Sequence, residues 1–584
     1  MSGRVRKSKM RSLVVGSIWT LCLSILTLRL FWIQTVESNS LTTMAMNNWM
    51  ENETIYPTRG TIYDRTGDHS MAWDVNAYYI VANKKKMKDI SQVARLLAPL
   101  LELEPTDLEE QLSKEKDDIQ LRGNGKDRFP EEAIKKIYQL KEKGQLEEIY
   151  AFPYKPLRQY NGTEAAHVLG FVNQEMKPVE GVEKSYHSFL QGEMGRKKYL
   201  KSKNGIMMSK DPDEYQPAKN GNDLYLTIDA RIQKQVEIEL AEAVKNYDAK
   251  GGTAIVADPR NGEILAMANL PVYNPNQIGT YNPQENRTNQ AIENQFEPGS
   301  TFKIVTLAAA IEEGVFNASD TFESGAIQVE DRTIRDWNDR GWGTITYREG
   351  VQKSSNVAFV KLGQKLGATK LNEYIKRFGF GDITKRQGKP TGIDLPAEGK
   401  GYYFNGPLYP SELATTSFGQ GISVTPVQQI SAISAIANGG TWYTPHVMKE
   451  IHKANSDEIV KTYPVQGKRI VSEDTAKQVR QLLRDVVEGG TGSEADVVGY
   501  PVGGKTGTAQ KPKKQGGYEE DKYIVSFIGL APYDNPDVVV YVAIDEPASI
   551  NGSSSGGKIA APVASQIIRK TLQIRQIQPN KELK

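Results

Sequence analysis

The sequence of 584 residues has one cysteine, Cys22, and five histidines. A single cysteine excludes an internal disulfide, a CxxC redox pair and a cysteine-rich zinc site. His69, His167, His187, His446 and His452 form no HExxH and no close pair, so no metal is expected. Nor is there an excess of charge: 73 basic against 71 acidic residues leave +2. That argues against a protein built around a nucleic-acid backbone. Tandem repeats and long low-complexity tracts are missing too; the stretch from Asn551 to Gly557 is a short flexible loop by composition. With 25% charged and 39% hydrophobic residues the chain reads as globular. Its length gives a prior of roughly four domains at ~150 residues each.

Membrane-length apolar runs are also scarce, with one exception. Leu13 to Ile33 is 21 residues long and apolar apart from a few small polar residues and Arg29. As a helix it spans ~31 Å, about one hydrocarbon core. Arg29 lies near the far end and can snorkel. Arg4, Arg6, Lys7, Lys9 and Arg11 precede the run without an acid, which places the N-terminus in the cytoplasm. A cleaved signal peptide is the competing reading, but its core is usually about 7–15 residues followed by a small-x-small site. Gln34-Thr35-Val36-Glu37 offers none. The expectation is a retained single-pass anchor in the cell membrane over 12–33, after a cytoplasmic tail over 1–11. Cys22 lies within the anchor as lipid-facing filler. The rest of the chain then faces a compartment without ATP or NAD.

Residues 34 to about 215 read as mixed structure. Thr106-Asp107-Leu108-Glu109 has the capping-box pattern and predicts a helix starting there. Pro130 to Lys143 predicts a second, amphipathic helix, and the Lys and Glu runs are solvated faces. From about residue 222 the pattern sharpens. Thr253 to Asp258 predicts a strand, Pro259-Arg260-Asn261-Gly262 a turn, and Glu263 to Ala268 the return strand. Tyr523 to Leu530 and Val538 to Ile544 are strand-like, and Gly503 to Thr508 gives a fifth. Thr301–Glu313, Val357–Leu366 and Thr475–Val487 read as helices between the two groups. Turn-linked neighbours favour antiparallel pairing. The predicted class is α+β: one five-stranded antiparallel sheet, two strands from the start and three from the end, with a large helical region inserted.

Three short patterns carry chemistry. Ser300-Thr301-Phe302-Lys303 follows a Pro298-Gly299 turn and opens a strongly apolar helix, with Gly314 as its stop. Positions i and i+3 share a helix face, so Ser300 and Lys303 can touch. A serine hydroxyl needs an adjacent base, and a desolvated lysine near a helix N-terminus loses its proton more readily. Alone, Ser-x-x-Lys is equally a capping serine before a snorkelling lysine; it recurs at Ser113/Lys116 and Ser555/Lys558, without the apolar helix. Ser354-Ser355-Asn356 is as readily turn or capping chemistry, and Ser-x-Asn recurs at Ser202/Asn204 and Ser549/Asn551. Gly503-Gly504-Lys505-Thr506-Gly507-Thr508 occurs once. Gly499 to Thr506 also satisfies the P-loop pattern, but Gly507, Pro512, Gly516 and Gly517 follow, so no helix starts. A strand whose Gly507 admits another backbone is the expectation instead. Gly490-Thr491-Gly492 mimics a dinucleotide fingerprint but follows a helix, not a strand.

As a set, S-x-x-K, S-x-N and K-T-G stand in the order known for class A β-lactamases and penicillin-binding proteins. Ser354 lies 54 residues after Ser300, and Lys505 a further 151 on. This resembles the penicillin-binding transpeptidases. The whole chain resembles a class B (monofunctional) penicillin-binding protein. Arg59-Gly60-Thr61-Ile62-Tyr63-Asp64-Arg65-Thr66-Gly67 is similar to the signature that opens the class B pedestal, with Thr66 in place of the usual Asn. Arg158-Gln159-Tyr160, His167-Val168-Leu169-Gly170, and Gly181-Val182-Glu183 with Tyr186 also resemble pedestal sequence. Ser417-Phe418-Gly419-Gln420-Gly421, Thr425-Pro426 and Ser526-Phe527-Ile528-Gly529 resemble further transpeptidase landmarks.

The resemblance implies a pedestal or dimerisation domain over 34–220, a transpeptidase domain of serine β-lactamase-like fold over 221–575, and a tail over 576–584. It implies a peptidoglycan D,D-transpeptidase. Ser300 would attack the D-Ala-D-Ala bond of a stem peptide and form an acyl-enzyme, with Lys303 as general base. Ser354 would relay a proton to the leaving group, and Asn356 would hold Lys303 and the substrate amide. Lys505 would attract the terminal carboxylate, with Thr506 and Thr508 hydrogen-bonding it in the Lys505-Thr506-Gly507 strand. The N–H groups of Ser300 and Thr508 would form the oxyanion hole. An amine from a neighbouring stem would resolve the ester, and β-lactams would acylate the same serine. No cofactor is implied. Stem peptides on lipid-linked or polymeric strands, and a membrane glycosyltransferase or other cell-wall complex partner, are the expected partners. Four other readings remain: a class A enzyme, whose Glu-Asp-x-x-Phe motif is not found; a β-lactamase; a D,D-carboxypeptidase, differing only in its acceptor; and a non-catalytic scaffold or β-lactam sensor.

Overall fold

The apolar runs at the two ends of the region after residue 221 pair into one antiparallel sheet. In the computed structural model its strands are β1 (Gly251–Ala257), β2 (Ile264–Leu270), β3 (Gly503–Pro512), β4 (Tyr518–Ala531) and β5 (Val538–Asp545), in the order β2-β1-β5-β4-β3. The residues described are 2–123, 127–200, 214–280, 286–381, 389–404, 406–513, 516–549 and 555–580. Register places Ile255 between Met267 and Tyr541, and Tyr541 opposite Ile528. Successive residues of a pleated strand face opposite sides. Ala254, Val256, Val540 and Val542 pack with Val236, Leu240, Ile567 and Ile568 of the helices Ala230–Asn246 and Ala560–Ile574. Ile255, Met267 and Tyr541 pack on the other side with Phe302, Val305, Ile430 and Ile433. Both faces are covered, which is why these strands read as unbroken apolar runs.

Two strands come from the start of the region and three from its end, as expected. The helices Lys303–Glu312, Asn356–Arg377, Pro426–Ala437 and Glu473–Gly489 lie between them. β3 and β4 are longer than predicted. Their pairing continues past the sheet to Pro512↔Tyr518, whereas β5 pairs with β4 only from Ile524.

Residues 59–191 add a second core. Strand Ser70–Asn83 pairs antiparallel with Ile149–Tyr160, from Ala72↔Tyr160 to Ala82↔Ile149. Leu97, Leu108 and Ile134, from helices Ile90–Leu101, Pro105–Leu112 and Glu131–Glu142, fill the space beneath. The last helix matches the prediction for Pro130 to Lys143. The capping box expected at Thr106 does not form: the helix begins at Pro105, and Glu104 caps it without a side-chain bond. Proline's fixed φ suits the first helical position, so Pro105 sets the start.

Motifs far apart in sequence converge here on one buried carboxylate. Glu183 accepts from Arg59 Nε at 2.5 Å and Arg158 Nε at 2.7 Å, and Tyr160 Oη donates to it at 3.3 Å. Asp74 takes the Arg59 backbone N–H at 2.8 Å. Burial alone would raise the Glu183 carboxyl, but Arg158 and Arg59 hold it below its usual value. Thr66, the departure from the signature, donates its hydroxyl to Asp64 at 2.7 Å.

The chain divides into two compact units. Met1–Thr58 with Gly192–Asn220 form one, and Arg59–Gln191 with Gly221–Lys584 the other. The first holds a helix, Ser2–Thr35, whose stretch Arg6–Thr35 is long and apolar enough to cross a membrane. A shorter helix, Ser38–Trp49, and a three-stranded antiparallel sheet of Met50–Ile55, Gly195–Leu200 and Glu214–Gln216 follow.

Candidate active site

The Ser300 turn is built by zipping one segment against another. Phe296 and Val424 form an antiparallel bridge, and Gly299 N–H donates to Gly419 O at 3.0 Å. Gly299 has φ +55°, and a Cβ on Gly419 would lie 2.1 Å from Gly299 O, so both positions require glycine. Ser300 is half-buried in a 3₁₀ turn, Gly299–Phe302. The apolar helix Lys303–Glu312 follows, buried from Lys303 to Ala310, and Gly314 at φ +68° ends it as predicted.

Lys303 is 1% exposed. Its Nζ donates to Ser354 O at 2.8 Å, Ser354 Oγ at 3.3 Å and Asn356 Oδ1 at 2.8 Å. Thus the first two motifs meet across 54 residues of chain. The expected Ser300–Lys303 contact is not a hydrogen bond. The 3₁₀ turn keeps the two on one side, but three oxygens of the Ser354–Asn356 turn take the Lys303 Nζ.

That turn is held from below by a residue the sequence did not single out. Asp336, 1% exposed, accepts from Ser355 Oγ at 2.8 Å, Val357 N–H at 3.0 Å and, through its other oxygen, Gly325 N–H at 2.8 Å. Ser355 is the N-cap of the helix Asn356–Arg377, accepting from Ala358 N–H at 3.1 Å. Ser354, between cap and preceding helix, sits at φ +59°, a left-handed conformation costing roughly 1–2 kcal/mol for a residue with a side chain. Asp336 lies in a loop with no periodic pattern, so local sequence carries no signal for it.

The third motif lies on β3, the sheet's edge strand, so Lys505-Thr506 stands within a strand and forms no P-loop. Lys505 is 1% exposed, with its Nζ 3.2 Å from Thr506 O and 3.4 Å from Thr506 Oγ1. A Cβ on Gly507 would lie 2.4 Å from Ser526 Oγ, 3.0 Å from Thr301 Cγ2 and 3.3 Å from Pro298 O. Gly507 therefore admits the Ser300 turn, as expected. A Cβ on Gly299 would sit 3.1 Å from Thr508 O, and Thr508 itself is exposed. The rejected dinucleotide mimic does contribute: Thr491 Oγ1 is 3.1 Å from Thr506 Oγ1. Of the recurring patterns, Ser113/Lys116 lies at the end of a surface helix and Ser555/Lys558 in a turn. Ser202, Asn204 and 551–554, with most of the predicted loop, lie outside the described residues.

Burial pushes Lys303 far below its usual value, the neighbouring Lys505 adds to this, and Asp336 opposes it. Burial likewise lowers Lys505, to about 7. Two buried lysines whose hold on the proton is weakened, one on a serine hydroxyl and one beside a threonine, are placed to accept and pass protons. No three His, Cys, Asp or Glu among the described residues are placed to hold a metal.

Residues 252–569 match the family described as "Penicillin binding protein transpeptidase domain", and 54–226 match "Penicillin-binding Protein dimerisation domain". The chain is 39% identical over 586 residues to stage V sporulation protein D of Bacillus subtilis, covering 99% of this chain and 87% of that protein. It is 31% identical over 592 residues to peptidoglycan D,D-transpeptidase FtsI of Escherichia coli, covering 97% and 92%. Among solved structures it resembles penicillin-binding protein 2X from Streptococcus thermophilus (TM-score 0.70, 26% identity, 90% of this chain and 80% of that one). It also resembles penicillin-binding protein 3 from Mycobacterium tuberculosis complexed with aztreonam (TM-score 0.67, 28%, 91% and 99%). With a dimerisation domain ahead of a transpeptidase domain in which three separated motifs close on two buried lysines, the chain belongs to the class B penicillin-binding proteins.

Proposed function

We propose that Ser300 is the nucleophile of this peptidoglycan D,D-transpeptidase and the residue that β-lactams acylate. The observation that carries this reading is the seat of Lys303: a buried amine fixed by Ser354 and Asn356 one turn from Ser300. Neutral Lys303 takes the proton from Ser300 Oγ as the oxygen attacks the D-Ala-D-Ala carbonyl. The oxyanion forms against the N–H groups of Ser300 and Thr508, each such donor contributing ~2.7–4 kcal/mol. Ser354, on Lys303, passes the proton to the departing amine, and the C–N bond breaks to leave the ester. Asn356 holds Lys303 and the substrate amide. Lys505 attracts the terminal carboxylate, Thr506 and Thr508 hydrogen-bond it, and Gly507 keeps β3 close to the turn. An amine of a second stem then displaces Ser300.

The same reading assigns 1–11 to a cytoplasmic tail, 12–33 to the anchor, 34–220 to the dimerisation domain, 221–575 to the transpeptidase domain outside the membrane and 576–584 to a tail. Basic residues ahead of the apolar stretch support that orientation. A dimerisation domain following an anchor also suits a membrane glycosyltransferase or another cell-wall complex partner.

The test is intact-mass analysis of the full chain in detergent after incubation with benzylpenicillin. One adduct is expected, absent in Ser300→Ala. An adduct that survives in Ser300→Ala overturns the assignment.

A further inference from the structure

Glu297 lies three residues before Ser300 and is absent from the three motifs. Its carboxylate joins three parts of the site. Oε1 accepts the Gly421 N–H at 3.0 Å, from the segment zipped against the Ser300 turn. Tyr518 Oη donates to Oε2 at 3.0 Å and lies 3.3 Å from Oε1. Tyr518 opens β4, opposite Pro512 of β3 and beyond the last residue supported by β5. Burial raises the Glu297 carboxyl, and the Gly421 and Tyr518 donors counter it.

We propose that Glu297 and Tyr518 are a pair of positioning residues that clamp the outer part of the β3–β4 hairpin onto the Ser300 turn. The proposal rests on the reading of Ser300 and the Thr508 N–H as parts of one reaction centre. These two groups come from different elements, and only the separation of those elements sets the oxyanion hole. Next to Ser300, Gly299 and Gly507 remove side chains, which permits close approach but does not enforce it. Further out, the hairpin leaves the sheet; Lys511 ties it back to Asp545 and Glu546 at the end of β5, at 2.5 and 2.6 Å, but those bonds hold it to the sheet and do not draw it towards the Ser300 turn. The Tyr518–Glu297 bond lies on that outer part and joins it to the segment that fixes Ser300. A displacement of even 1 Å at an oxyanion donor lowers rate without weakening initial binding. The clamp is thus a determinant of acylation, not of ligand affinity.

The experiment measures benzylpenicillin acylation of the full chain in detergent, separating the acylation rate constant from the constant for initial binding. Tyr518→Phe, which removes one hydroxyl from a partly exposed ring, is expected to lower the rate constant on the order of tenfold, with initial binding and melting temperature unchanged. Glu297→Gln keeps one carbonyl oxygen, which at the Oε1 position is within reach of both Gly421 N–H and Tyr518 Oη, and is expected to lose less than Glu297→Ala. Tyr518→Phe added to Glu297→Ala should cost nothing more, because the two act as a unit. Wild-type acylation by Tyr518→Phe, or a loss that falls only on initial binding, overturns the clamp. Ser300→Ala runs beside them. If it still forms the adduct, the reading of Ser300 fails; if it does not and Tyr518→Phe acylates normally, the clamp alone fails.

Discussion

Asn356 holds Lys303 through Oδ1 at 2.8 Å, while its own Nδ2 is tied to the Arg335 carbonyl at 2.9 Å. The amide is therefore oriented by the main chain and cannot flip to offer nitrogen to the lysine. Its neutrality also matters, since a charge here would act on Lys303 directly.

Asn356→Asp tests this. A carboxylate beside Lys303 favours the ammonium and raises its pKa, by about 1–3 units for an opposite charge at this range. On the proposed reading Lys303 is the base and acts when neutral, so activity is expected to rise as pH climbs through its value. The ascending limb of the pH–acylation profile is expected to move to higher pH by about that amount, with a corresponding loss at neutral pH.

Lys505 offers a second titration. It is lowered to about 7 by burial. At pH 8 the free site then holds it mostly neutral. Arrival of a ligand carboxylate favours the charged form, so binding takes up a proton. Calorimetry of Ser300→Ala with a D-Ala-D-Ala peptide, in buffers of different ionisation enthalpy, should show uptake approaching one proton at about pH 8 and near zero below about pH 6. Lys505→Gln should show none.

Gly507→Ala is expected to fail through sterics, since its Cβ meets Ser526 Oγ at 2.4 Å and Thr301 Cγ2 at 3.0 Å. Overpacking of this kind costs roughly 1–3 kcal/mol and would push β3 from the Ser300 turn. Adding Ser526→Gly removes the nearer atom and should restore part of both stability, by melting temperature, and acylation rate.

Asp258 predicts a pH effect on stability. It accepts from Arg260 Nη2 at 2.6 Å and Arg575 Nη2 at 2.9 Å, and Arg575 Nε also reaches Asp537 at 2.5 Å. Burial would raise the Asp258 carboxyl, but Arg260 and Arg575 hold it below its usual value. A depressed folded-state value stabilises above the unfolded value of about 3.9, and the effect is lost as pH falls through the folded value. Asp258→Asn should lower stability at pH 7 by about 2 kcal/mol, through Arg260 and Arg575 together, the exposed Arg260 guanidinium being discounted for screening by solvent. The difference in melting temperature from wild type should shrink steadily below about pH 4.

The sheet was legible because its strands are short apolar runs between turns, and burial on both faces makes such runs conspicuous. The three motifs were legible as a set, by order and spacing. Other features were not. Asp336 acts through tertiary contacts to Ser355, Val357 and Gly325, none of which leaves a pattern around residue 336. Thr491 lay in a motif set aside for good reason, and its contact with Thr506 depends on how the 490–492 loop returns to β3. The Ser300–Lys303 contact followed from helix periodicity, but periodicity fixes only which face a side chain leaves, not which acceptors its flexible end finds. At Thr106 a side-chain pattern gave way to Pro105, a backbone constraint one residue earlier.

The edge position of β3 reaches beyond the catalytic step. An edge strand recognises its ligand with peptide N–H and C=O groups, which every residue but proline supplies. Apart from proline, which removes an N–H, no substitution deletes them. On the proposed reading the side chains of Lys505, Thr506 and Thr508 serve the natural substrate as well, so a strain evading a β-lactam has few letters to change there and is expected instead to retune the layer behind them: Ser526 and Thr301 against Gly507, or Thr491 against Thr506. Drug tolerance in this fold is expected to arise as small shifts in backbone position, inherited through buried residues that never touch the drug.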